Sequence, residues 1–160
     1  MNHQLLERSG LTDWIQTASG RQFWPLAPRA EDVVIEDIAH ALSNICRFTG
    51  HVREFYSVAQ HCTLAANAAP ADIRLAVLLH DASEAYLADV SRPVKHALEM
   101  ASYRDVEERL MDYIGMHFWV NFADPRIKEI DARMLATERR DLMTLVPVDW
   151  ATFDPFHWRI

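Results

Sequence analysis

The sequence predicts an all-α domain preceded by a short β-hairpin, and three observations lead there. From Glu31 onward the apolar residues recur at the spacing of amphipathic helices. Ahead of that stretch, Ser19-Gly20 separates two short arms, Ile15-Gln16-Thr17 and Gln22-Phe23-Trp24, with prolines closing the second. At 160 residues, half of them hydrophobic, the chain can bury one sizeable core but not two. The expected organisation is an N-terminal segment with the hairpin over 1–30, a helical body over 31–146 and an aromatic tail over 147–160.

Taken in order, Ile35, Ile38, Ala39, Leu42, Ile45 and Cys46 form the first helical stripe, ended by Thr49-Gly50, with Arg47 and Phe48 at its exit. A second helix runs from Ser57, a hydroxyl N-cap, to Ala68; Val58, Cys62 and Ala65 face inward and His61 stands beside them. Pro70 opens a third, whose Leu75-Ala76-Val77-Leu78-Leu79 is apolar all round, as in a central helix enclosed by others that delivers His80-Asp81 to the interior. Ser91-Arg92-Pro93 breaks the chain, and a short helix is expected from Pro93 to Met100. Tyr103, Val106, Leu110, Ile114 and His117 mark the next amphipathic helix. Asp124-Pro125 caps the last one, with Ile127, Ile130, Met134 and Leu135 as its apolar face and Asp131 on that same stripe. The tail carries Trp150, Phe153, Phe156 and Trp158, too apolar for a free end, and is expected to pack on the body or on a subunit.

Composition narrows the function. A net charge of −7 argues against a nucleic-acid polymer or an anionic membrane as partner, so an anionic substrate needs a local basic cluster or a metal. Cys46 and Cys62, both expected on helices among apolar neighbours, read as buried thiols rather than a disulfide. With no run of apolar residues long enough for a membrane span and no signal-like start, a soluble cytoplasmic protein is expected.

The chemistry concentrates at Leu78-Leu79-His80-Asp81-Ala82-Ser83-Glu84, where an imidazole and two carboxylates end an apolar run. His80 and Asp81 offer two ligands from adjacent positions, and Glu84 follows one helical turn on. Helices bearing His61 and Asp131 can bring two more to the same ion. Two imidazoles with two carboxylates suit Mn, Fe, Co or Zn better than Mg or Ca. A carboxylate on a buried stripe, such as Asp131, is costly unless paired or ligated.

The set His61, His80-Asp81, Asp131 resembles the signature of the HD-domain metal-dependent phosphohydrolase superfamily. The block from His80 through Asp89-Val90-Ser91-Arg92-Pro93-Val94-Lys95 is similar to its bacterial 5′-deoxynucleotidase branch, as is Arg47-Phe48, fourteen residues before His61. These matches span roughly Ile35 to Leu142. The resemblance implies a helical bundle around one divalent transition metal and release of phosphate from 5′-deoxynucleoside monophosphates by a metal-activated water. It gives Glu84 the handling of protons and Arg47 the grip on phosphate, which its planar fork suits. Phe48, His51, Asp89, Arg92 and Lys95 become the substrate contacts. The chain departs from the branch at Phe48, where it has Trp, and at Ser91 and Arg92, where it has Pro and Thr. Extra positive charge from His51, Arg53, Arg92 and Lys95 supports an alternative, a deoxynucleoside triphosphate hydrolase on the same scaffold. A non-catalytic nucleotide-binding protein is a third reading, though metal binding alone requires neither Glu84 nor Arg47. The aromatic tail and the branch's habit of association predict a homo-oligomer, at least a dimer.

Overall fold

A computed structural model describes residues 13–144 and 153–160. Among them the chain is mostly helical, with one antiparallel pair of two-residue strands, β1 (Ile15–Gln16) and β2 (Gln22–Phe23), near its N-terminus. The turn joining them depends on Gly20 at φ 84°, whose amide donates to the Thr17 carbonyl. Asp37 pins the hairpin to the body, accepting from the Ser19 amide at 2.6 Å and its hydroxyl at 2.8 Å. Phe23 then buries completely and stacks on Tyr86, ring centroids 3.9 Å apart. Burial of such a ring contributes roughly 1.5–3 kcal/mol.

Seven α-helices follow: α1 (Ile35–Asn44), α2 (Val58–Ala68), α3 (Arg74–Leu78), α4 (Glu84–Leu87), α5 (Arg92–Lys95), α6 (Ala101–Phe118) and α7 (Pro125–Leu142). Helix α2 starts where expected, with a capping box in which the Ser57 hydroxyl accepts from the Gln60 amide and the Gln60 side chain accepts from Ser57 N–H. The α7 cap is likewise the expected Asp124, which accepts from the Arg126 amide ahead of Pro125. In α6, Leu110 and Ile114 bury, and the chain folds back so tightly at its end that a Cβ on Gly115 would lie 2.9 Å from the Val120 carbonyl oxygen.

Three expectations are corrected. The first helix ends at Asn44: Ile45 is extended, and Cys46 forms an isolated antiparallel bridge with Ser57, so neither continues the stripe. Of that stripe, Ile38 and Leu42 bury while Ile35 and Ala39 face solvent. The third helix is only Arg74–Leu78 and is not enclosed, because Leu75 is 50% and Leu78 37% exposed. The helix carrying Glu84 breaks at Ala88, in the positive-φ region at φ 70°, three residues before Ser91. Two short pieces, α5 and a 3₁₀ turn over Leu98–Met100, replace the single helix expected there.

The core has two clusters, and α2 serves both. Val58 and Cys62 pack with Phe23, Ile38, Leu79, Tyr86 and Leu110, whereas Ala65 and Ala66 pack with Val77, Ile130, Met134 and Phe156. His61 stands on α2 between these two sets of residues. Phe156 stacks on Trp158, centroids 5.2 Å apart, and its amide donates to the Thr137 hydroxyl, so this part of the tail docks on α7 of its own chain. Pro147 and Trp150 lie outside the described residues, as does the start of the N-terminal segment. No helix among the described residues is long and apolar enough to cross a membrane.

Candidate metal centre

The site is assembled from three directions. Helix α2 brings His61, the turn after α3 brings His80 and Asp81, and α7 brings Asp131. That turn is closed by i to i+3 bonds, Ala82 N–H to the Leu79 carbonyl and Glu84 N–H to the Asp81 carbonyl, which aim consecutive side chains in different directions. One nitrogen from each of His61 and His80 and an oxygen of Asp131 lie within 4.8 Å of one another, the spacing of atoms around a shared ion. Asp81 joins through His80, its Oδ1 3.4 Å from His80 Nε2 and its Oδ2 3.7 Å from His61 Nε2.

Hydrogen bonding behind the rings decides what the front can do. His61 Nδ1 meets the Glu138 carboxylate at 2.6 Å, and His80 Nδ1 meets the Val77 carbonyl at 2.7 Å. Both partners are acceptors, so each Nδ1 carries the hydrogen and each neutral ring presents its Nε2 lone pair forward. These two nitrogens face each other at 3.2 Å, with Asp131 Oδ1 at 3.3 Å from one and 3.7 Å from the other. Lone pairs and carboxylate oxygens converge on one point, where only a cation or added protons reconcile them. Burial opposes a charge on His80, yet Asp81 and Asp131 hold its proton affinity well above the usual range. Burial and Arg47 likewise oppose a charge on His61, but Glu138 and Asp131 outweigh them. The point that draws protons is thus one where a cation fits, and His61, His80 and Asp131 could hold a metal ion there.

Glu138 is the member that the sequence reading missed. Fully buried on α7, it accepts from His61 and also pairs with Arg47, whose Nη2 and Nε lie 3.1 and 3.2 Å from its Oε2. Its signal was periodic, since Glu138 stands seven residues, two turns, beyond Asp131 on the same helix. Cys62, expected to be structural, is indeed buried, and it also forms a second close group of potential ligand atoms with His80 and Asp81. Asp131 departs from its expected burial: its side chain is 44% exposed.

Arg47 sits in a 3₁₀ turn, Arg47–Gly50, in which Phe48 and Thr49 both adopt positive φ. Its guanidinium reaches Asp81 at 3.5 Å and lies 5.4 Å from the Phe48 ring centroid. Burial works against this charge, but Glu138 and Asp81 more than offset it. Glu84 is buried, its Oε2 has no hydrogen-bond partner, and its Oε1 is 3.9 Å from Lys95 Nζ. Burial first, then the charges of Asp81 and Asp89, push its pKa up to about 9. Asp89 is half-buried and shifted upward by the same burial and by Asp81. Lys95 donates to Glu107 at 2.6 Å. His51 and Arg92 are exposed, and Arg53 donates to the Asp141 carbonyl at the end of α7. The structure therefore gathers Arg47, His61, His80, Asp81 and Asp131, sets Glu84, Asp89 and Lys95 alongside, and leaves His51 and Arg92 at the surface.

No family model matches the chain. It is 42% identical over 130 residues to a protein of Escherichia coli (strain K12) named Uncharacterized protein YfdR, across 81% of this chain and 72% of that one. It is also 39% identical over 114 residues to Uncharacterized protein RCAP_rcc00048 of Rhodobacter capsulatus, covering 66% of this chain but only 58% of that protein. Neither name carries an activity, so the functional reading rests on the site.

Proposed function

We propose that this chain, which belongs to the same family as the Escherichia coli protein YfdR, is an HD-type metal-dependent phosphohydrolase that releases phosphate from 5′-deoxynucleoside monophosphates. The observation that carries the reading is the pair of opposed Nε2 atoms, 3.2 Å apart with both Nδ1 atoms already committed, beside a buried guanidinium and a buried carboxylate oxygen without a partner. A structural metal would need neither of the last two.

His61, His80, Asp81 and Asp131 are the residues to hold the ion. A divalent ion bound there would lower the pKa of a water and polarise a phosphoryl oxygen, as phosphoester hydrolysis demands. The chain's own groups supply the rest. Arg47 presents a planar fork that can bind two phosphate oxygens as charge redistributes, and Glu138 keeps that fork in place. As the oxygen of water bonds to phosphorus, the bond from phosphorus to the sugar oxygen breaks. Water loses a proton and the departing sugar oxygen gains one. Glu84 is the residue to carry it, because its free Oε2 is shielded from bulk water and a pKa near 9 leaves it holding a proton near neutrality that it can give to the departing oxygen.

The engaged cations favour a monophosphate over a triphosphate. Lys95 is held by Glu107 and Arg53 by the end of α7, so two of the four groups that could have met a longer phosphate chain are already in use. Metal-loaded protein assayed against deoxynucleoside mono-, di- and triphosphates, with the products identified, tests the proposal. Inorganic phosphate from dAMP is the expected product. Triphosphate released from dATP would transfer the site to the longer substrate, and no hydrolysis of any phosphoester would refute the reading.

A further inference from the structure

Lys95 stands between two carboxylates and belongs to only one of them. Its ammonium is 2.6 Å from Glu107 Oε1 and 3.9 Å from Glu84 Oε1. The choice is made by the side chain alone, because the backbone around it is fixed. Arg104 donates to the carbonyls of Lys95 and Ala97 at 2.6 and 2.8 Å, and the Tyr103 hydroxyl donates to the Ala88 carbonyl at 3.1 Å. Ala88 has positive φ, a conformation an alanine keeps only when its surroundings impose it. Tyr103, Arg104 and Glu107 thus form one face of α6 that grips the segment from Ala88 to Ala97, while α6 itself bears none of the residues gathered at the metal cluster.

We infer that Glu107 is a positioning residue: by holding the Lys95 ammonium it keeps that ammonium from closing on Glu84, and so leaves the Glu84 carboxyl free to carry protons. The inference rests on the proposed role of Glu84. Glu84 is buried and, after Glu107, is the nearest carboxyl to the ammonium among the described residues, nearer than Asp89, so without Glu107 the ammonium closes the 3.9 Å gap to a hydrogen bond. Glu84 would then be occupied, and turnover would suffer although no group at the metal cluster had changed. Glu107 does this from a position that is itself four-fifths buried, where water competes little for the ion pair.

The test is a double-mutant cycle on the metal-replete full chain with dAMP as substrate. Glu107→Gln should lower kcat on the order of 10-fold, part of what a positioned proton carrier typically contributes, and move KM less. Glu107→Asp, which retains the charge, should keep most of the parental kcat. In a Lys95→Met background the same Glu107→Gln change should cost nothing further, since no ammonium remains to restrain. Equal losses in both backgrounds, or no loss in the parent, would overturn the assignment. Crystal structures of the parent and Glu107→Gln read the geometry independently of turnover. Lys95 Nζ within hydrogen-bonding distance of Glu84 in the variant is the expected result, and an ammonium that stays in place or turns to solvent refutes it. If the parent hydrolyses no phosphoester, the functional reading fails while the crystal structures still decide the positioning.

Discussion

Replacing Glu138 with Gln is the most exacting perturbation of this site, because one fully buried carboxylate serves two partners at once. Oε1 accepts from His61 Nδ1 at 2.6 Å, and Oε2 takes Arg47 at 3.1 Å. Glutamine keeps the volume but has one acceptor oxygen; its amide nitrogen must face either the imidazole N–H or the guanidinium, donor against donor. Burial opposes the native charge, yet His61 and Arg47 hold the Glu138 pKa below the usual carboxylate range, so the carboxylate is the form the site is built around. Two losses follow. An outer-shell partner of a ligating histidine is worth about 10- to 100-fold in metal affinity. Breaking one side of a buried ion pair costs about 3 kcal/mol at the lower end, which for a chain of this length lowers Tm by roughly 6–12 °C. Chelator-competition titration reads the first, and thermal unfolding in excess chelator reads the second without a contribution from bound metal. A variant with parental metal affinity and parental Tm would show that Glu138 neither orients His61 nor anchors Arg47.

Asp131→Ala should lose metal and turnover together, and elemental analysis showing undiminished metal would remove Asp131 from the ligand set. Glu84→Ala should retain the metal yet lose ~10²- to 10⁴-fold in kcat, and near-parental turnover in a metal-replete preparation would make Glu84 structural. Because burial raises the Glu84 pKa to about 9 in the folded chain, the native state binds a proton that the unfolded state releases above about 4.5. Its contribution to stability is therefore lost as pH rises between those values, so metal-free Glu84→Gln should gain in Tm over the parent from pH 5 to 8, and a constant difference across that range would count against the shift. If Phe48 packs on the sugar, a ribose hydroxyl loses water without gaining a partner, at roughly 1–3 kcal/mol, so dAMP should be preferred to AMP about 10- to 100-fold. Equal kcat/KM for the two nucleotides would dismiss Phe48 as the selector.

What was legible in the sequence is what local chemistry encodes. Ser57 three residues before Gln60, Asp124 before Pro125 and Gly20 in a two-armed turn each specify a terminus or a turn by their own hydrogen bonds, and each stands where it was expected. That His61, His80 and Asp131 could meet was legible from their order, and their ligand atoms lie within 4.8 Å of one another, although His80 and Asp81 stand in a turn and not on the expected helix. The failures come from contacts between distant segments. Ile45 and Cys46 continue an apolar stripe, but the bridge from Cys46 to Ser57 gives that backbone a better partner than another helical turn. Leu75 and Leu78 read as enclosed because apolar composition does not say which face finds a neighbour. Glu138 was overlooked as one more charge on a charged helix, and only the approach of His61 and Arg47 from other elements gives it a role.

If the site takes a phosphoester as proposed, the exposures of the gathered residues set the side from which it would reach them. His61 and Glu138 are sealed, His80 is 10% and Asp81 20% exposed, and Asp131 opens to 44%. Under the proposed function a phosphate would approach over Asp81 and Asp131, the two carboxylates it would otherwise avoid, and a bound cation would reverse the sign of that approach. Arg47 is only 11% exposed. Its contact to Asp81, at 3.5 Å, is the weaker of its two, and the Glu138 pairing at 3.1 Å remains when that contact is exchanged for phosphate. The guanidinium can thus change partner without changing place. A site that exchanged one loose ion pair for phosphate while a buried one held the geometry would leave little reorganisation for the moment of reaction, which is what the proposed hydrolysis calls for.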